Sequence, residues 1–150
     1  MDAEVGSRTP SHLTLDDLRI LGIRSLPINP FKVIVDNGWQ IATYPIMSAL
    51  LGMSVEKMKS EISNAAFTFY SFYYHTYVIV YNDNLPYEKV VYSLSHEIGH
   101  IYYSHVSPNC TQNFLLPKRQ RKIQEKTANE FAEFVLADKN TLDVKQLRKE

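Results

Sequence analysis

His96-Glu97-Ile98-Gly99-His100 is the stretch of this chain whose residue types and spacing could do chemistry. Two His four residues apart on a helix sit about 40° apart around the axis, one turn up, so both imidazoles can reach one ion. Glu97 is held beside them but is not aimed at the same point. Two nitrogen ligands flanked by a carboxylate that can take a proton from water is the arrangement of a zinc hydrolase. The competing reading is a chance match on an ordinary helix.

The surrounding residues test that alternative. Pro86 lies near the start of a predicted long helix. On its wheel Val90, Leu94, Ile98, Ile101 and Tyr102 form one apolar stripe, with His96 and His100 opposite. A satisfied core histidine would lie inside the stripe, so this pair faces solvent or a cleft. His105 falls inside the stripe and reads as a core or helix-end residue rather than a ligand. Tyr92 and Tyr103 flank the His face and are candidates for stabilising an oxyanion.

A catalytic zinc site needs a third protein ligand. Pro117 opens another predicted helix, with Ala128, Phe131, Ala132, Val135 and Leu136 at helical spacing. Of its carboxylates, Glu125 lies nearest that inward face, whereas Glu130 and Glu133 lie towards solvent. An inward carboxylate is costly to bury unless a cation shares its charge. Asn129, one turn on, points the same way and can orient a motif His. The alternative for Glu125 is an i, i+4 ion pair with Arg121.

The elements that must position these residues are short. Thr14 and Asp17 resemble a capping box before Leu15, Leu18 and Leu21, with Gly22 ending the helix. Asn29-Pro30 begins a second short helix that carries Phe31, Ile34 and Val35 and stops at Gly38. Trp39 to Tyr44 reads as a strand closed by Pro45, and Ser54 caps a helix with Val55, Met58 and Ile62 on one face. Phe67–Tyr74 and Tyr77–Tyr81 read as two strands joined at a tight turn containing His75. Aromatics on both faces of the first run predict a strand covered on both sides, or one whose second face holds a ligand. Tyr77–Tyr81 is a candidate edge for a substrate added as an extra strand. Ser107 to Gln112 reads as a loop, and Asn140 with Asp143 as the cap of a final helix.

Composition bounds the rest. At 150 residues, 45% hydrophobic and 21% charged, the chain can build one globular domain over 1–150, with 1–12 a loose end. Zero net charge gives no electrostatic case for direct nucleic-acid binding, and Lys118-Arg119-Gln120-Arg121-Lys122 reads as a solvated first turn rather than a phosphate patch. The lone Cys110 excludes an internal disulfide and reads as a loop residue, or less readily a reactive thiol. With no apolar leader and no membrane-length apolar run, a soluble cytoplasmic protein is expected.

Ser95-His96-Glu97-Ile98-Gly99-His100-Ile101, followed by Glu125-Lys126-Thr127-Ala128-Asn129-Glu130-Phe131-Ala132, resembles the ImmA/IrrE family of zinc metallopeptidases. The Pro27-Ile28-Asn29-Pro30 segment and the strand pair extend the resemblance over most of 13–137. It implies an α+β fold: a small curled sheet of about three strands packed against helices, a minimal zincin-like arrangement with the motif on a long central helix. It implies Zn2+ on His96, His100 and Glu125, with Glu97 as general base. It also implies an intracellular peptidase, often carried by a prophage or mobile element, that cleaves or inactivates a helix-turn-helix repressor and so acts as an antirepressor. Rival readings are a zinc-containing module that binds a repressor without cutting it, and a toxin-like peptidase acting on a cellular protein. Glu88–Tyr92 lacks the basic residues often found in the family there, and Leu136-Ala137-Asp138 stands where a proline is usual.

Overall fold

The computed structural model describes residues 13–109 and 117–137. The predicted capping box forms. Thr14 N–H donates to Asp17 Oδ2 at 2.9 Å and Asp17 N–H donates to Thr14 Oγ1 at 3.3 Å. The element that follows, Asp16–Leu21, is a 3-10 helix. Helix α1 spans Pro30–Asp36, with Asn29 Oδ1 accepting from the backbone N–H of Phe31 and Lys32. It buries Val33 and Ile34. Val35 is 64% exposed, because so short a helix turns only a narrow face to the core.

Strand β1 is Gln40–Thr43 and helix α2 is Tyr44–Leu51. Pro45 therefore opens a helix rather than closing a strand. Its missing N–H falls where a helix needs none, and Thr43 Oγ1 accepts from Ile46 N–H. Helix α3, Val55–Glu61, is capped by Ser54 as expected and buries Met58.

Strands β2, Ala66–Ser71, and β3, Thr76–Tyr81, form an antiparallel hairpin, and β1 pairs in parallel with β3. The order is β1-β3-β2. The first strand ends three residues earlier than its β-rich composition predicts. Phe72, Tyr73 and Tyr74 are exposed and form the turn, which closes on His75 at φ 56. Since β3 is central and paired on both sides, Tyr77–Tyr81 has no free edge, so the predicted strand-addition site cannot lie there.

The sheet is covered on both faces. Phe67, Val78 and Val80 pack with Tyr44, Met47 and Met58 from α2 and α3. On the other face Ile79 packs with Ile34, Leu94, Ile98, Phe131 and Val135. The last four come from α4, Tyr87–Tyr102, and α5, Lys118–Leu136. Complete burial of such side chains contributes about 1.5–3 kcal/mol each. This core locks α4 and α5 to each other and to the sheet. The α4–α5 approach is close at Gly99, where an added Cβ would meet Phe131 Cβ, Cγ and Cδ1 at 3.0 Å. The α+β class with a small three-stranded sheet agrees with expectation. The predicted final helix, the loose N-terminus and Cys110 lie outside the described residues. No helix among the described residues is long and apolar enough to cross a membrane.

Candidate metal centre

The packing of α4 against α5 turns the off-stripe side of α4 into one wall of a cleft. Its other walls are the end of α3 and the start of β2, and its volume is about 530 Å³. His96, Glu97, His100, Glu125 and Asn129 all line it, so the His pair faces a cleft. His100 is nonetheless only 1% exposed.

His96 Nε2 lies 2.9 Å from Glu125 Oε1, His100 Nε2 lies 2.9 Å from Glu125 Oε2, and the two Nε2 atoms are 3.0 Å apart. Ligands at about 2.0–2.2 Å around a tetrahedral ion would stand about 3.3–3.6 Å apart, so these atoms need to separate by only a few tenths of an ångström to hold zinc. The outer ring nitrogens decide what it presents. Asn129 Oδ1 can only accept, so His96 Nδ1, 2.7 Å away, carries the hydrogen and Nε2 keeps its lone pair. His100 Nδ1 is likewise engaged, 2.9 Å from His105 Nδ1. With the outer nitrogens carrying the hydrogens, two ring lone pairs and a carboxylate converge on one point, where either a proton or a metal cation must sit to offset their repulsion. The donor set fits a borderline-soft divalent metal.

Protonation follows the same logic. Burial pushes the Glu125 carboxyl up, but hydrogen bonds from His100 and His96 and their charge outweigh it and hold it well below the usual carboxylate range. Burial pulls His96 down, and its hydrogen bond to Glu125, the charges of Glu97 and Glu125 and the bond to Asn129 together raise it above its ordinary value. His105 is pushed down to about 3 by burial and the charge of neighbouring His100, which outweigh the opposing pull of Glu125, with a still smaller lowering from His96. At neutral pH it is an uncharged imidazole.

Glu97 is buried, and its Oε1 accepts a 2.6 Å hydrogen bond from Thr68 Oγ1 on β2. Thr68 is itself 1% exposed, the buried hydroxyl on the strand face turned to α4. Sequence reasoning missed this contact. The only available signal was a single hydroxyl residue within an aromatic run. His105 was placed correctly at the helix end, but its bond to His100 was not foreseen, because the spacing follows the helix terminus rather than the helical period. Tyr92 lines the cleft, and burial and the charge of Glu133 push its hydroxyl up. Tyr103 packs into the core against Phe131 instead. Within the basic run, Lys118, Arg119 and Lys122 are exposed, and Arg121 lines the cleft.

No curated protein and no solved structure matches the chain. The family model for the IrrE N-terminal-like domain of M78 peptidases matches residues 50–149, which covers α3 to α5, the sheet hairpin and every cleft residue above. With a metallopeptidase-type ligand triad at the centre of that span, the chain belongs to the IrrE N-terminal-like M78 peptidase family.

Proposed function

We propose that the protein is a zinc-dependent intracellular endopeptidase whose substrate is a helix-turn-helix transcriptional repressor. The observation that carries the catalytic part is the convergence of His96, His100 and Glu125 within 4.8 Å of one another beside the buried carboxylate of Glu97. His96, His100 and Glu125 would hold the metal, which when bound would supply an acidified water and polarise the scissile carbonyl. Glu97 is the general base. Thr68 occupies Oε1, so Oε2 takes the water proton and returns it to the leaving amine. Asn129 holds the His96 ring in the ligating tautomer. Tyr92, at the cleft wall, is the candidate donor to the developing oxyanion.

The substrate adds as a strand to the outer edge of β2, with Ala66 and Phe67 leading it into the cleft. Nothing among the described residues pairs with that edge. A bent, locally extended segment of a repressor fits such an edge better than a folded helix does, since helices satisfy their own backbone groups. A proline in the pairing stretch of the substrate should weaken cleavage, and unaltered cleavage would exclude strand addition.

The test is zinc content and repressor cleavage measured together for the parent and Glu97→Gln. Zinc retained with cleavage lost is expected. Cleavage that survives Glu97→Gln would refute the mechanism. A repressor bound tightly but never cut by the parent would establish the non-cleaving module instead.

A further inference from the structure

The turn that ends α4 is built around His100. Tyr103 caps the helix and Ser104 takes φ 61. Ser104 N–H then donates to Ile101 O at 3.0 Å, and His105 N–H donates to His100 O at 2.8 Å. This pair of bonds is a Schellman turn, made here with serine at the left-handed position where glycine is the easier residue. The turn returns His105 to the residue that its own backbone holds. His105 Nδ1 lies 2.9 Å from His100 Nδ1, on the opposite edge of the ring from the Nε2 that faces Glu125 and His96. Tyr103 lies nearly parallel to the His105 ring, 23° between planes and 6.0 Å between centroids.

We propose that His105 is a positioning residue for the metal centre: its Nδ1 accepts the hydrogen of His100 Nδ1 and so fixes the tautomer and rotation that aim His100 Nε2 at the metal. The inference rests on the reading that His96, His100 and Glu125 hold a metal ion. Two Nδ1 atoms 2.9 Å apart share one hydrogen. If His105 supplied it, a neutral His100 would carry its own hydrogen on Nε2, and that nitrogen could not ligate. The direction of this one bond therefore decides whether His100 is a ligand. The device also divides the work between elements. His96 is oriented by Asn129 from α5, whereas His100 is oriented by the turn that terminates its own helix. The aim of His100 is then independent of the α4–α5 spacing on which Glu125 and Asn129 depend.

The experiment compares zinc affinity, by competition with a chromophoric chelator, for the folded parent, His105→Phe and His105→Asn. Metal-free thermal melts are recorded in parallel. Phe keeps a ring against Tyr103 and removes the acceptor; Asn restores an acceptor oxygen near the position of Nδ1. The expected result is one zinc per parent chain, about 10–100-fold weaker binding for His105→Phe, and recovery of most of that loss in His105→Asn. Equal affinity of parent and His105→Phe would overturn the proposal while leaving the metal reading intact. A parent that binds no zinc would overturn both. Should His105→Phe fail to fold, the nitrogen-15 spectrum of the zinc-loaded parent decides the matter. A protonated His100 Nδ1 facing an unprotonated His105 Nδ1 is expected, and the reverse overturns the proposal.

Discussion

Gly99→Ala should damage the metal centre without touching a ligand. The added Cβ would meet three atoms of Phe131 at 3.0 Å. Carbon atoms pack best at about 3.5–4.0 Å, so Phe131 must give by at least a few tenths of an ångström, up to about 0.5 Å to reach a relaxed contact. One of the three atoms is Phe131 Cβ, which no rotamer change can move, so α5 itself must back away from α4. Overpacking of this kind costs about 1–3 kcal/mol, and the better helix propensity of alanine offsets about 1 kcal/mol. The net loss of stability is therefore small, about 0–2 kcal/mol. The effect on the site is larger. Glu125 rides on the same helix about 9 Å from Phe131, and ligand positions tolerate only about 0.2 Å of displacement. A shift of that size takes Glu125 out of range of the two Nε2 atoms. Zinc affinity should fall at least as far as for loss of an orienting partner, about 10-fold or more. Chelator competition on the metal-free proteins measures this, with a thermal melt to show that the variant is folded. Gly99→Ser, slightly larger, should be worse. A folded Gly99→Ala that binds zinc as the parent does would show that the helix spacing does not set the Glu125 position.

Four further outcomes follow from the same geometry. Thr68→Val should leave zinc affinity unchanged and slow peptide cleavage about 10-fold, since a hydrogen bond to a charged group contributes about 1.5–3 kcal/mol; Thr68→Ser should recover most of the rate, and equal rates in all three proteins would remove Thr68 from the mechanism. Glu125→Ala should abolish stoichiometric zinc binding, measured by metal analysis after desalting, with the fold retained in circular dichroism. Ser104→Gly should raise the melting temperature of the metal-free protein by relieving a left-handed serine; a lower value would mean that the serine side chain outweighs its backbone strain. The stabilisation by zinc should grow from pH 6 to pH 8. His96 has its folded pKa raised, so in the metal-free protein its contribution is fully present below about 6.5 and fades as pH rises through the folded value. Glu125 is lowered, so its contribution is present above about 4.5 and fades only in strong acid. Protons therefore compete with zinc for His96 more strongly at pH 6 than at pH 8, and a zinc-induced shift in melting temperature that is flat with pH would contradict this.

The metal centre was legible in the sequence to the extent that helical periodicity carries it. His96 and His100 stand four apart on one helix, and the apolar stripes of α4 and α5 orient both helices about their axes. Two oriented helices packed stripe to stripe leave few places for Glu125 and Asn129 to point, and those positions were readable before any coordinates. The hairpin was readable for a similar reason, because β-rich composition marks strands. Its end was not, since Phe72 to Tyr74 have strand composition but form an exposed turn. Pro45 was misplaced for a related reason: it is equally suited to ending a strand and opening a helix, and only the Thr43 cap decides between them.

What stayed hidden are the contacts that no single period governs. The Thr68–Glu97 bond joins a strand to a helix across 29 residues. The His105–His100 bond depends on where α4 stops and on one left-handed residue after it. The free edge of the sheet depends on strand order, which composition does not encode, and this is why the central Tyr77–Tyr81 was mistaken for an edge. These hidden contacts share a function. The site residues of α4 come from one periodic element, but each is contacted by something outside its own helical repeat: His96 by α5, Glu97 by β2, His100 by the closing turn. A motif placed on an isolated helix would keep its ligand types and spacing and lose all three contacts. The His-Glu-x-x-His pattern therefore marks the site, and the sheet, the second helix and the turn bring together the group of side chains that could hold a metal.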